Sequence, residues 1–223
     1  MTRPPVIAAP SPNFNARRLP VSLVVLHYTG METGPAALER MCDAEAKVSA
    51  HYMVEEDGRI FQLVDEDKRA WHAGVSSWRG ESDINSASIG IEIVNGGHDY
   101  GLPDFPAIQI AAVIALVRDV MERHGLGPEA VVGHSDIAPG RKQDPGEKFP
   151  WHRLAEAGCA VAVTVGDQVP GDAATQLQAI GYGLDAGLPD VVEAFQRRHR
   201  PARVDGVIDD ETAALISAMA GRA

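Results

Sequence analysis

The sequence predicts an α/β fold, a mixed central β-sheet flanked by helices, followed by a small C-terminal three-helix domain. Short β-branched apolar runs alternate with stretches of helical periodicity through most of the chain, which is typical of strands and helices that share one core. After the linker-like segment GDQVPG at 166–171, only helical patterns remain. We therefore expect a first domain at residues 1–165 and a second at residues 172–223.

Alternation and turn signals predict the strands. The predicted strands are residues 21–26, 50–54, 59–64, 88–95 and 130–132. Glu-Asp-Gly between the second and third runs is a strong hairpin signal. The run SIGIEIVN at 88–95 alternates best, with isoleucines on one face and Gly90 and Glu92 on the other.

Helical spacing and end signals predict the helices. The predicted helices are residues 35–46, 105–124, 151–157, 173–180, 189–199 and 209–220. Pro35 suits a first helical turn, and Gly125 suits a helix end. Residues 1–20 are expected to be an extended lead-in. Residues 65–88 are expected to form a long loop, and long loops in compact domains are usually functional.

Composition and charge limit the classes of molecule that the protein is expected to bind and the compartment in which it is expected to work. The formal net charge of −11 argues against nucleic acid, because binding phosphates depends on clustered Lys and Arg. No apolar stretch is long enough to span a bilayer, and the start of the chain has no continuous apolar run typical of a signal peptide. For Cys42 and Cys159, two free thiols are favoured over a disulfide. These observations favour the cytoplasm, with the periplasm as the alternative.

Two histidines have positions that suit metal ligands. His27 and His134 each follow an apolar strand run, so both can project from the same end of one sheet. Asp144, before Pro-Gly, suits a third ligand or an Asx-turn equally well. Two imidazoles and one carboxylate favour zinc over magnesium or calcium, which prefer oxygen ligands. A single histidine is nevertheless more often structural than a ligand.

Glu92 and Lys142 are candidates for the chemistry itself. Glu92 is the one ionisable side chain within the best strand, so it is either an outward-facing carboxylate or, beside a metal, a general base. Lys142 is either a surface lysine, the favoured interpretation by itself, or a cation near a developing oxyanion.

Five segments occur in the order of a known family. They are HYTG (27–30), VSAHYMVEEDGRIFQLVDEDKRAWHAG (48–74), WRG (78–80), SIGIEIVN (88–95) and VVGHSDIAPGRKQDPGEKFPW (131–151). On these motifs, which cover roughly residues 20–157, the chain resembles the type 2 N-acetylmuramoyl-L-alanine amidases, zinc enzymes related in fold to peptidoglycan recognition proteins. The tail is similar to the small helical peptidoglycan-binding domain through LQAIGYG (177–183), VVEAFQRRH (191–199) and DGVIDDETAALI (205–216).

The resemblance implies both a reaction and roles for residues. It implies His27, His134 and Asp144 as Zn²⁺ ligands, Glu92 as the catalytic glutamate and Lys142 as the transition-state lysine. The implied reaction is hydrolysis of the amide between the lactyl group of N-acetylmuramic acid and L-alanine, in peptidoglycan fragments (muropeptides) during wall recycling. Residues in the shared segments that could line the substrate groove are Tyr28, His51, Trp71, His72 and Arg79, with packing an equal alternative for Trp71.

Three other functions stay open on the sequence. A non-catalytic peptidoglycan-binding protein would share the fold, but such relatives lack a complete metal set. A periplasmic or phage-type wall lysin would share the chemistry. Another zinc hydrolase, such as a deacetylase or an L,D-type peptidase, is not supported by the order of the motifs.

Overall fold

The computed structural model describes residues 3–166, 169 and 171–222 and has the mixed α/β architecture that the sequence predicts. The strands are β1 (Ile7–Ala8), β2 (Phe14–Ala16), β3 (Leu23–Tyr28), β4 (Tyr52–Val54), β5 (Ile60–Gln62), β6 (Lys68–Ala70), β7 (Ser88–Ile93) and β8 (Val131–Gly133). Six of them form one sheet in the order β1-β5-β4-β7-β3-β8, and β2 pairs with β6 separately. The predicted hairpin is confirmed, because β4 and β5 are antiparallel neighbours.

The helices flank this sheet. They are α1 (Gly34–Cys42), α2 (Ile84–Ala87), α3 (Ala107–His124), α4 (His134–Ile137), α5 (Trp151–Glu156), α6 (Ala173–Ile180), α7 (Leu188–His199) and α8 (Asp210–Ala220). The predicted end of the long helix is confirmed at Gly125, which takes the left-handed backbone conformation. The three C-terminal helices match their predicted bounds within a residue. None of the helices in the described residues is long and apolar enough to cross a membrane.

The two faces of the sheet bury different helices. β3 lies between β7 and the edge strand β8 and is parallel to both, and alternate residues such as Val24 and Leu26 pack with the isoleucines of β7 against α3. The opposite face carries Leu23, Val25 and Val132, which share one hydrophobic cluster with α6, α7 and α8. The C-terminal helices therefore complete the core of the sheet. The domain boundary stays a prediction, and residues 167, 168 and 170 of the expected linker lie outside the described residues.

Two segments are more ordered than expected. The lead-in contributes β1 and β2, and the loop at 65–88 contains β6 and α2. These short strands have little alternation of their own and form because β5 and β6 offer them partners. Strand β3 begins and ends two residues later than predicted, because β7 pairs with it from Leu23 to Tyr28. Both cysteines are free thiols, as predicted.

Candidate metal centre and active site

Adjacent parallel strands place the two predicted histidine ligands side by side. Leu26 of β3 is in register with Gly133 of β8, so His27 and His134 follow at neighbouring positions. Asp144 comes from the loop after α4, and its backbone oxygen accepts from Ser135 N–H at 2.9 Å. All three side chains are buried. Their Nδ1, Nδ1 and Oδ2 atoms form a triangle with edges of 2.9, 3.0 and 2.9 Å.

The outer hydrogen bonds of the two rings direct lone pairs into this triangle. His134 Nε2–H donates to the backbone oxygen of Ala73 at 3.0 Å, which leaves Nδ1 as an acceptor. His27 Nε2–H donates to His72 Nδ1 at 3.0 Å, and His72 Nε2–H donates to Ser88 Oγ at 3.2 Å. Three acceptor atoms this close repel one another unless a cation lies among them. The donor set therefore fits a metal ion with two imidazoles and one carboxylate as ligands.

The charge states agree with this arrangement. Burial, and then the charge of His134, lowers the pKa of His27 to about 4, so the imidazole is neutral at pH 7. Burial and the charge of His27 likewise hold the pKa of His72 well below its ordinary value. Burial raises the pKa of Asp144, but the two histidines, in the form that carries a proton, have the larger opposite effect and hold it below its ordinary value. Neutral imidazoles and an ionised carboxylate are the forms that bind metals.

Glu92 lies beside this cluster with an unused oxygen. It is in register with His27 across the β3–β7 pairing, so the two side chains share a face of the sheet. Its Oε2 is shielded from solvent and has no hydrogen-bond partner in the described part of the chain. Burial, and then the charge of Asp144, raises its pKa well above the ordinary value, while Lys142 opposes that shift. Glu92 also lines a cavity of about 190 Å³ together with Thr29 and Arg40.

Lys142 lies close enough to act on this site electrostatically. Its charge lowers the pKa of His27 and opposes the rise at Glu92. Its backbone N–H donates to Ala138 at the end of α4, which fixes the chain two residues before Asp144. The side chain is half-buried, and it forms no ion pair with any residue that the structure describes.

The five predicted groove residues separate into three groups. Tyr28, next to the ligand His27 in the chain, is half-buried, and its hydroxyl meets His98 Nδ1 at 3.0 Å. Trp71 is half-buried beside β2, where its indole N–H donates to Asn15 Oδ1 at 2.8 Å. His72 is buried and contacts the ligand His27 rather than an open groove. The structure does not bring Arg79 to the site, and it places His51 behind His72, with the two ring centroids 5.7 Å apart.

His51 and Arg79 are held elsewhere by backbone groups. The ring of His51 is fully buried, accepts from Gly90 N–H at 2.9 Å and donates to the Lys68 oxygen at 3.1 Å. Arg79 Nε donates to the Ile180 oxygen at 3.3 Å, and its backbone N–H donates to Gly181. It lines a cavity with the residues at the start of β3, at the opposite end of that strand from His27.

Sequence reasoning missed two supporting residues. The side-chain oxygen of Asn85 accepts from the backbone N–H groups of His72 and Ala73, at 2.9 and 2.8 Å, and so holds the segment that contacts both histidine ligands. Gly90 leaves room for the His72 ring, since a Cβ at this position would lie 2.5 Å from His72 Cγ. In the sequence, Asn85 and Gly90 were marked only by their position in the polar and alternating stretch at 83–95.

A parallel sheet edge that carries a buried His–His–Asp set next to a shielded carboxylate is typical of metal-dependent hydrolases. The chain matches the N-acetylmuramoyl-L-alanine amidase family over residues 17–147. It is 38% identical to the N-acetylmuramoyl-L-alanine amidase AmiD of Escherichia coli K12, over 89% of this chain and 82% of that protein. The 1,6-anhydro-N-acetylmuramyl-L-alanine amidase AmpD of the same organism is 44% identical over 50% of this chain and 58% of its own length.

Solved structures agree with this assignment along most of the chain. The crystal structure of AmpDh3 from Pseudomonas aeruginosa has a TM-score of 0.82 at 36% identity, and covers 91% of this chain and 92% of that one. The E. coli AmiD complex with anhydro-N-acetylmuramic acid-L-Ala-D-γ-Glu-L-Lys has a TM-score of 0.80 at 34% identity, and covers 93% and 92%. The chain therefore belongs to the N-acetylmuramoyl-L-alanine amidase family, and it is an amidase of that class.

Proposed function

We propose that this amidase is zinc-dependent, with His27, His134 and Asp144 as the ligands and Glu92 as the general base. The observation that carries the proposal is the shielded Oε2 of Glu92, which has no hydrogen-bond partner among the described residues and lies next to three converging acceptor atoms. A carboxylate with a purely structural role would have hydrogen-bond partners for its buried oxygens, because a buried polar atom without a partner lowers the stability of the fold. The same atom is well placed to take up a proton during a reaction.

The proposed substrate is a muropeptide with an anhydro sugar. The AmpD relatives are named for the 1,6-anhydro compound, and AmiD and AmpDh3 were solved with anhydromuramyl peptides. The bond that breaks joins the lactyl carbonyl carbon to the nitrogen of L-alanine, and the oxygen of a water molecule replaces that nitrogen. The products are a lactyl carboxylate and a stem peptide with a free amine. We place this reaction in peptidoglycan recycling, as the names of the relatives suggest.

Zinc, Glu92 and Lys142 have separate proposed roles in this reaction. Bound zinc supplies a Lewis acid that polarises a carbonyl and acidifies water. Glu92 accepts the proton that water loses as it attacks, and a raised proton affinity suits this role. Glu92 then delivers the proton to the alanine nitrogen as the C–N bond breaks. Lys142 places a positive charge near the oxyanion. Tyr28 and Trp71 are the proposed contacts in the substrate groove.

The cytoplasm is the proposed site of action. Two free thiols, one of them buried, suit a reducing compartment. The protein is therefore expected to fractionate with cytoplasmic markers, and recovery with periplasmic markers would exclude this location.

Glu92→Gln tests the catalytic proposal directly. The substitution keeps shape but removes the base, so turnover of an anhydromuropeptide should fall by about 10²–10⁴-fold while bound zinc stays stoichiometric. Mass spectrometry of the released stem peptide and elemental analysis of the protein measure the two quantities. Glu122→Gln on the exposed side of α3 is the matched control and should behave as wild type. Full activity in Glu92→Gln, or a wild-type protein that binds the muropeptide without cleaving it, would exclude the proposed mechanism.

A further inference from the structure

The turn that carries His134 is tied to the C-terminal helices by a buried ion pair. Asp136, two residues after His134, is fully buried, and its Oδ2 accepts from Arg198 Nη1 at 2.8 Å. Its Oδ1 accepts from the Tyr182 hydroxyl at 2.7 Å. Arg198 lies on α7 and Tyr182 follows α6. Both oxygens of a carboxylate in the ligand turn therefore have partners from the C-terminal helical region.

The same groups define the start of this turn. Asp136 Oδ2 also accepts from the backbone N–H of Gly133, the residue before His134, at 2.8 Å. The second guanidinium nitrogen of Arg198 donates to the oxygen of Val131 at 3.0 Å, on the edge strand β8. One side chain of α7 thus contacts both the strand that leads to His134 and the turn that contains it.

Packing extends the connection to the third ligand. The guanidinium carbon of Arg198 lies 4.2 Å from the ring centroid of Trp151. Trp151 and Pro145 both pack on Gly133, where an added Cβ would lie 3.3 Å from Trp151 Cζ2 and 2.9 Å from Pro145 Cδ. Because Pro145 follows Asp144 directly, Arg198 supports the loops of two ligands at once.

We propose that Asp136, Tyr182 and Arg198 are positioning residues that hold His134 in its metal-binding orientation. The C-terminal helices then form part of the catalytic unit, whether or not they also bind peptidoglycan. This inference rests on the proposed metal role of His134. Outer groups that orient a metal ligand typically change metal affinity by about 10–100-fold when they are removed.

Two conservative substitutions test the inference. Tyr182→Phe removes one hydrogen bond and keeps the ring. Arg198→Lys keeps the charge but loses the planar fork that reaches Asp136 and Val131 together. In each variant the zinc dissociation constant, measured by chelator competition, should rise about tenfold or more. The visible spectrum of the cobalt(II)-substituted protein should change, and kcat should fall more than KM rises.

Arg200→Lys is the matched control. Arg200 directly follows α7, and its guanidinium bonds Asp209 and Thr212, both within the helical region. Its replacement should leave zinc affinity and the cobalt spectrum unchanged, whatever it does to stability.

The outcomes separate this inference from the proposed function. If Tyr182→Phe and Arg198→Lys keep wild-type zinc affinity and the wild-type cobalt spectrum, the inference is overturned even where the melting temperature falls. If Arg198→Lys does not fold, Tyr182→Phe decides alone. A wild-type protein that takes up no zinc would overturn the proposed metal centre and this inference with it.

Discussion

Gly90→Ala is expected to disturb the metal centre through a single added methyl group. Gly90 lies in β7 opposite Val25, on the face of the sheet that carries His27. A Cβ at Gly90 would lie 2.5 Å from His72 Cγ and 2.6 Å from its Cδ2 and Nδ1. Ordinary carbon contacts are about 3.5–4.0 Å, so the ring has to move by about 1 Å. His72 is buried between His27 and Ser88 and has little room for this movement.

The size of the effect follows from two costs. Overpacking a buried site typically costs about 1–3 kcal/mol. Losing the hydrogen bond from His27 Nε2–H to His72 adds about 0.5–1.5 kcal/mol. Together they reduce the free energy of unfolding by about 1.5–4.5 kcal/mol, which lowers the melting temperature of a protein of this length by about 3–18 °C. Because His72 orients a proposed ligand, zinc affinity should also fall by about 10–100-fold.

Thermal unfolding followed by circular dichroism, together with chelator competition for zinc, measures both effects. Gly166→Ala is the control, because among the residues that the structure describes a Cβ there would meet only the oxygen of Thr164, at 3.8 Å. If the Gly90→Ala protein has the melting temperature and the zinc affinity of the wild type, both the packing argument and the supporting role of His72 are refuted.

Two further predictions concern charge. Lys142→Ala should lower kcat by about 10²–10³-fold with little change in KM, whereas Lys148→Ala at an exposed ion pair should not; a loss below roughly tenfold would remove the oxyanion role from Lys142. Glu66 should contribute stability that depends on pH: burial opposes its ionisation, but hydrogen bonds from Arg123 and His124 lower its pKa to about 2. Its contribution is complete above the ordinary value near 4.5 and is lost as pH falls towards 2, and it amounts to about 1–2 kcal/mol after solvent screening. Urea unfolding of wild type and Glu66→Gln between these pH values should show curves that converge in acid, and parallel curves would contradict the assignment.

Local sequence patterns were enough to predict the strands and helices that bury one regular face. The strand at 88–95 and the helix at 105–124 were predicted nearly to their observed ends, because period-2 and helical spacing reflect burial directly. The short strands β1, β2 and β6 were not predicted. Each has only two or three residues, and their pairing depends on partners that are distant in sequence.

Side-chain environment was harder to predict than side-chain position. His51, His72 and Arg79 share motif segments with the family, yet the structure buries the first two and places the third at the far end of β3. Composition and spacing carry no information on which ring nitrogen meets which backbone oxygen, so supporting histidines and groove histidines look alike in sequence.

The sequence by itself determined the α/β class, the three C-terminal helices and the candidate set His27, His134, Asp144 and Glu92, because strand ends and motif order are local properties. Only the tertiary structure decided that three acceptor atoms converge within 3.0 Å, that one oxygen of Glu92 has no partner in the part of the chain that the structure describes, and that Arg198 reaches the turn of His134. These are contacts between residues 10 to 117 positions apart. They exist because parallel pairing of β3 with β7 and β8, and packing of α7 on the face of the sheet that carries Val25 and Val132, bring those segments together.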